Sequence, residues 1–159
     1  RYMLEAAAQH DKAVWVLDRP NPAGRPIEGL TLRPSWESFV GAGALPMRHG
    51  LTMGELARRL IAELQPDVAG KVIAMDGWQP EAAPGFGWPL GERTWINPSP
   101  KAPNLSMARC YAGTVMLEGT TLSEGRGTTR PLELFGAPEL DAAALITTMR
   151  ALAPDWVHG

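Results

Sequence analysis

Apolar positions along this chain keep two different periods, and the alternation between them predicts the elements. Tyr2 to His10 is an alanine-rich run at helical spacing, and "AVWVL" (13–17) is a short β-branched run bounded by turn residues. A helix followed at once by a buried strand is half of a βαβ unit. "DRPNPAGRPIEG" (18–29) is dense in Pro and Gly and reads as loop, and "SFVG" (38–41) as a short strand. "LTMGELARRLIAEL" (51–64) carries the strongest helix signal. Thr52 stands as N-cap with Glu55 three residues on, which makes a capping box. Leu56, Leu60 and Leu64 recur on one face, while Arg58, Arg59 and Glu63 face away. After Pro66 and Gly70, "KVIAM" (71–75) predicts a second buried strand. "LSMARCYA" predicts a short helix, "GTVMLEG" (113–119) a third strand, and "DAAALITTMRAL" (141–152) a final amphipathic helix. Strands alternating with helices predict an α/β layered domain with a mostly parallel sheet.

Composition narrows the class. The 159 residues are enough to bury a core, and 45% hydrophobic with 20% charged residues belongs to a globular chain. A net charge of −2, without a basic stripe, argues against nucleic acid as a partner. No apolar run reaches membrane-spanning length. The single Cys110, among apolar neighbours, excludes an internal disulfide and reads as a packed thiol. The opening "RYMLEAAAQHDK" lacks an N-cap, and "ALAPDWVHG" breaks off after a helix, so both ends read as cuts through a larger protein.

In open α/β sheets ligands bind beyond the carboxyl ends of the strands. Three polar clusters fall there: Asp18, Arg19 and Asn21 after the first strand, Asp76 and Trp78 after the second, and Glu118 to Arg130 after the third. The last, "LEGTTLSEGRGTTRP" (117–131), is the richest. Glu118 and Glu124 can supply the two carboxyl groups of glycoside hydrolysis, since a glycine-rich turn of six residues can set them roughly 5–10 Å apart. Arg126 and Arg130 can hold a substrate carboxylate or keep a neighbouring carboxylate charged. The same residues can equally be glutamate–arginine pairs that staple a pliable loop, and spacing does not choose between these readings.

The remaining signals are weaker. His49, between Arg48 and Gly50, precedes the capped helix, whose N-terminus favours anions. His10 and His158 sit near the chain ends, and the three histidines are too dispersed for a metal triad. No phosphate-binding glycine fingerprint and no Gly-x-Ser-x-Gly elbow occur, so no nucleotide cofactor and no serine triad are expected. Trp78, Phe86, Trp88 and Trp95 crowd a long loop, where tryptophan faces suit sugar rings but also plug a domain edge.

Four ordered motifs carry a resemblance: "VLDRPNPAG…IEG", "SFVG…LPMRHGLTMGELA", "WINPSPKAPNL" and "EGTTLSEGRGTTRPLELFGAP". Across about residues 13–141 the chain resembles a bacterial family of exo-β-N-acetylmuramidases, long filed as a domain of unknown function. The resemblance implies a glycosidase that releases terminal N-acetylmuramic acid from peptidoglycan fragments, with no cofactor and no metal. It implies that residues 1–159 form the second half of a Rossmann-like catalytic domain. The earlier strands, with a Pro-Glu-His-Gly carboxylate, and a smaller C-terminal domain are expected outside the chain. The matching positions include Glu118 and Glu124 as catalytic candidates, and Asp18, Arg19, Asn21, Arg48, His49, Arg126, Thr128 and Arg130 as binding candidates. Lys101 and Ala102 stand where the family usually has Asn and Met, and Thr121 where it has Asn.

The sugar's chemistry adds two expectations. Its 3-O-lactyl carboxylate gives an arginine-rich cleft a purpose, and its 2-acetamido group can act as nucleophile with one enzyme carboxylate assisting. Glu118 is expected at the chemical centre because a strand end is a rigid mount, with Glu124 as the rival. The expected partner is a peptidoglycan-derived saccharide, and that substrate favours a periplasmic or secreted location. The alternative function is a non-catalytic muropeptide-binding domain, which binding without turnover would identify.

Overall fold

The computed structural model describes residues 1–64, 67–79, 88, 91 and 93–157. Two compact units make up the chain, Arg1–Ile96 and Asn97–Gly159.

In the first unit, α1 (Tyr2–Gln9) buries Leu4 and Ala7 and leads into β1 (Val14–Leu17). Helix α2 (Met53–Leu64) then connects to β4 (Gly70–Ile73), which pairs with β1 in parallel, Val14 opposite Gly70 and Leu17 opposite Ile73. This is the βαβ unit that the periodicity predicts, and α2 packs on both strands. Alternation decides which side of β1 the helix covers. Val14 and Val16 are half-buried, while Trp15 and Leu17 point out, with the Lys71 ammonium 5.0 Å from the centre of the Trp15 ring.

Helix α2 begins where the capping box predicts. The Thr52 N–H donates to Glu55 Oε2 at 2.8 Å, and the Glu55 N–H to Thr52 Oγ1 at 3.2 Å. Two further strands appear, the first beginning at the end of the predicted 18–29 loop and the second where the sequence predicts no element. β2 (Glu28–Thr31) and β3 (Pro46–Arg48) pair antiparallel, and Arg48 Nη1 reaches Glu28 Oε2 at 2.6 Å across the ladder. The predicted strand at 38–41 is instead a turn, closed by mutual backbone bonds between Ser38 and Gly41.

The second unit overturns the third predicted strand. Asn104 caps α3 (Leu105–Thr114) by accepting the Met107 N–H at 2.8 Å, and the chain continues without a break into a 3-10 turn, Val115–Gly119. The apolar run "TVML" has no partner strand among the described residues. The Thr114 hydroxyl bonds back to the Cys110 carbonyl at 3.0 Å, so the segment closes its hydrogen bonds within the helix. Cys110 is half-buried on α3 rather than fully packed. Helix α4 (Ala142–Leu152) starts at Asp141, which accepts the Ala144 N–H at 3.0 Å. Ala102, Met107 and Leu132 form a buried apolar cluster in this unit, and Leu105 is buried as well. Among the described residues, no helix is long and apolar enough to cross a membrane.

Candidate functional site

Of the three polar clusters, the first and the third are built differently, one in each unit. In the first, Asp18 at the end of β1 turns its carboxylate onto the start of α2. Oδ1 accepts the Gly54 N–H at 2.7 Å and the Arg19 N–H at 2.9 Å, and Oδ2 accepts from the Thr52 hydroxyl at 3.1 Å. The helix terminus expected to welcome a ligand anion is thus occupied by the chain's own carboxylate. Gly54 makes the approach possible, since a Cβ there would stand 2.7 Å from the Asp18 carboxyl carbon and 2.6 Å from Val72. Asn21 accepts the Ala23 N–H at 2.9 Å and donates to the Leu51 carbonyl at 3.0 Å, which folds the loop.

His49 Nδ1 accepts the Leu51 N–H at 3.1 Å, so that nitrogen must be unprotonated. Burial, and then the nearby Arg59 charge, hold the His49 imidazole below its ordinary value. Burial alone would push the Glu55 carboxyl up. The Thr52 N–H and the Arg25 guanidinium, at 2.6 Å, outweigh it and hold that carboxyl below the usual range. Arg48 is committed to Glu28, while the exposed Arg19 side chain makes no bond among the described residues. Trp88 and Trp95 meet edge to face at 5.5 Å. Phe86 and His158 lie outside the described residues.

In the second unit the polar side chains border open space. A cavity of about 340 Å³ has Ala102, Met107 and Leu132 as apolar lining and Lys101, Tyr111, Glu118, Glu124 and Arg126 as polar lining. Arg126 Nε donates to Glu124 Oε1 at 2.5 Å and Nη2 to Glu118 Oε1 at 2.7 Å. Both donors lie on one edge of the guanidinium, so the two carboxylates are immediate neighbours and one cation partly offsets their repulsion.

The glutamates differ in setting. Glu124 is 10% exposed in its side chain and Glu118 is 41% exposed. The Glu124 carboxyl is held below the usual range, first by its own backbone N–H and then, against the cost of burial, by Arg126 and the field of Lys101. Glu124 first and then Glu118 raise the Arg126 guanidinium. Glu118 sits on the 3-10 turn, not at a strand end, so the rigid strand mount expected for it is absent.

The loop between them is shaped by Gly125. Its φ of +77° and the carbonyls of Arg130 and Leu134, each 3.1 Å from where a Cβ would stand, leave little place for a side chain. Thr128 belongs to this turn as well: its hydroxyl donates to the Gly125 carbonyl at 2.7 Å and accepts the Arg130 N–H at 3.1 Å. Arg130 Nη2 reaches Glu133 at 3.3 Å and does not line the cavity, whereas Arg126 does. Sequence reasoning missed Lys101 and Tyr111. Both lie in or beside recognisable motifs, but nothing in their spacing marks them as facing a cavity. Among the described residues no three His, Cys, Asp or Glu side chains gather as a metal site.

A βαβ unit and a glutamate–arginine cavity define an α/β protein with a site suited to a polar, ring-sized ligand. Comparison with known proteins specifies it further. Residues 1–106 match the N-terminal family model of the exo-β-N-acetylmuramidase NamZ, and residues 109–158 match its C-terminal model. The chain belongs to this family. It is 39% identical over 152 residues to the peptidoglycan β-N-acetylmuramidase NamZ of Bacillus subtilis, covering 95% of this chain and 36% of that protein. Two crystal structures of DUF1343 family proteins from Bacteroides fragilis are each 32% identical to it. One has a TM-score of 0.79 over 94% of this chain and 39% of its own. The other has 0.72 over 86% and 37%. The chain therefore spans less than two fifths of the length of these relatives. The fold class is α/β, Rossmann-like.

Proposed function

We propose that this chain contributes to the active cleft of an exo-acting glycoside hydrolase that releases terminal N-acetylmuramic acid from peptidoglycan fragments. One observation carries the assignment to this chain's own residues: Arg126 joins Glu118 and Glu124 on one edge inside a cavity of about 340 Å³. That volume lies at the lower end of ligand pockets and suits a single sugar ring. The Bacillus subtilis relative, named a peptidoglycan β-N-acetylmuramidase, supports the reaction class.

The two carboxyl groups divide the work by environment. Glycosidases need one group that carries a proton to the leaving oxygen and one that stays charged. Glu124, buried and held ionised, suits the charged role, stabilising positive charge at the anomeric carbon or steadying the attacking 2-acetamido group. Glu118 meets the guanidinium through one oxygen, and its second oxygen has no partner among the described residues. That second oxygen supports Glu118 as the proton donor. The proposed substrate lies outside the cytoplasmic membrane, so a periplasmic or secreted location goes with the proposal.

The test is hydrolysis of a chromogenic N-acetylmuramic acid β-glycoside by the protein expressed from its full reading frame. Glu118→Gln is expected to lower kcat by about 10²–10⁴-fold. A more basic leaving group should deepen its defect, while Glu124→Gln should be insensitive to the leaving group. Full activity in both variants would remove the two glutamates from the mechanism.

A further inference from the structure

Beside the glutamate pair, two cations retain unspent donors. Arg126 commits Nε to Glu124 and one Nη2 proton to Glu118. The opposite fork, made by Nη1 and the second Nη2 proton, has no partner among the described residues. Lys101 lines the same cavity, makes no salt bridge among the described residues, and is close enough for its charge to act on Glu124. The cavity therefore holds two carboxylates and two cations, and the cations are not fully used.

We propose that Lys101 and the terminal fork of Arg126 form a carboxylate subsite, which selects an acidic sugar over a neutral one. A planar fork matches the two oxygens of a carboxylate, while an ammonium acts as a compact point charge on a long stem. The glutamates hold the guanidinium by one edge, which leaves its other fork unengaged on a residue that lines the cavity. A neutral sugar can accept hydrogen bonds from these donors but gains no charge–charge attraction from either cation. Arg130, the other arginine expected to bind the acid group, is tied to Glu133 and lies outside the cavity lining. The proposal rests on the placement of the saccharide in this cavity and adds which residues read its charge. Lys101 is a specificity residue here and takes no part in bond cleavage.

The experiment measures binding by calorimetry to two probes of nearly equal shape, a methyl N-acetylmuramic acid β-glycoside and its lactyl methyl ester. Wild type, Lys101→Gln and Lys101→Arg are compared in the protein from its full reading frame. Wild type is expected to prefer the acid. Lys101→Gln is expected to weaken acid binding about five- to tenfold and leave the ester unchanged, and Lys101→Arg to restore most of the preference. An equal loss on both probes, an unchanged acid-to-ester ratio, or no binding of either probe by wild type overturns the subsite. The hydrolytic reading fails separately. A protein that does not cleave the chromogenic glycoside but shows the Lys101-dependent preference keeps the subsite and loses the reaction. One that cleaves it with an unchanged ratio in Lys101→Gln keeps the reaction and loses the subsite.

Discussion

The start of α2 and the cavity of the second unit hold the same ingredients, carboxylates and an arginine beside a helix or turn, yet they do opposite things. At α2 the carboxylates are spent on the fold. Asp18 and Glu55 receive the backbone N–H groups that a helix leaves unsatisfied, Thr52 is 1% exposed, and Gly54 closes the gap. In the second unit Glu118, Glu124 and Arg126 satisfy one another while facing open space, and an arginine fork and a lysine remain for a ligand. A polar cluster marks a site when donors are left over next to a volume. Richness in functional groups alone does not.

Substitutions can break that contrast. The largest expected effect belongs to the cavity: Glu118→Gln should cost about 10²–10⁴-fold in kcat while the melting temperature barely moves, because the side chain is largely exposed. At α2 the signature reverses. Gly54→Ala should lower stability by about 1–3 kcal/mol in denaturant unfolding, since the new Cβ meets both Val72 and Asp18. Asp18→Ala should cost about 1–2 kcal/mol, the loss of an N-terminal capping group, and leave the sugar affinity of the folded protein unchanged. The two changes should be non-additive, because removing the Asp18 carboxyl relieves part of the Gly54→Ala clash. If Asp18→Ala abolishes ligand binding in folded protein, the structural assignment of that cluster is wrong.

Smaller effects come from protonation. The imidazole of His49 lies below its ordinary value of 6.5, so the unfolded chain takes up its proton first. The stability it contributes is fully present above about pH 6.5 and is lost as pH falls through the lower folded value. His49→Asn, which keeps an acceptor for the Leu51 N–H, should flatten this part of the stability-versus-pH curve. Glu124 has the same sign at lower pH. Its carboxyl is held below 4.5, so its contribution is present above that value and fades as acid protonates it, and Glu124→Gln should remove that slope.

Much of the local structure was legible in the residues. The Thr52–Glu55 box, the short strand in "AVWVL" and the periodic helix at 141–152 each depend on neighbours within a few positions, and each forms where the residues predict, though the strand predicted as buried leaves Trp15 and Leu17 exposed. The glutamate–arginine cluster was legible as a composition, though not as a site, because hydrogen bonds at loop spacing have no period. The run "TVMLEG" misled because a short apolar stretch fits strand and helix equally, and only the Asn104-capped helix before it decided. The β2–β3 ladder was hidden for a related reason, since a loop rich in Pro and Gly pairs only if a distant segment meets it.

The sequence by itself determined where helices start, which residues carry charge, and the family to which their order belongs. Caps and periodicities are contacts between near neighbours, and a chain specifies those before it folds. Only the tertiary structure decided that Asp18 would fill the helix terminus while Arg126 would bridge two glutamates over a cavity. Those outcomes depend on which distant atoms arrive within hydrogen-bond reach, and on whether space is left beside them.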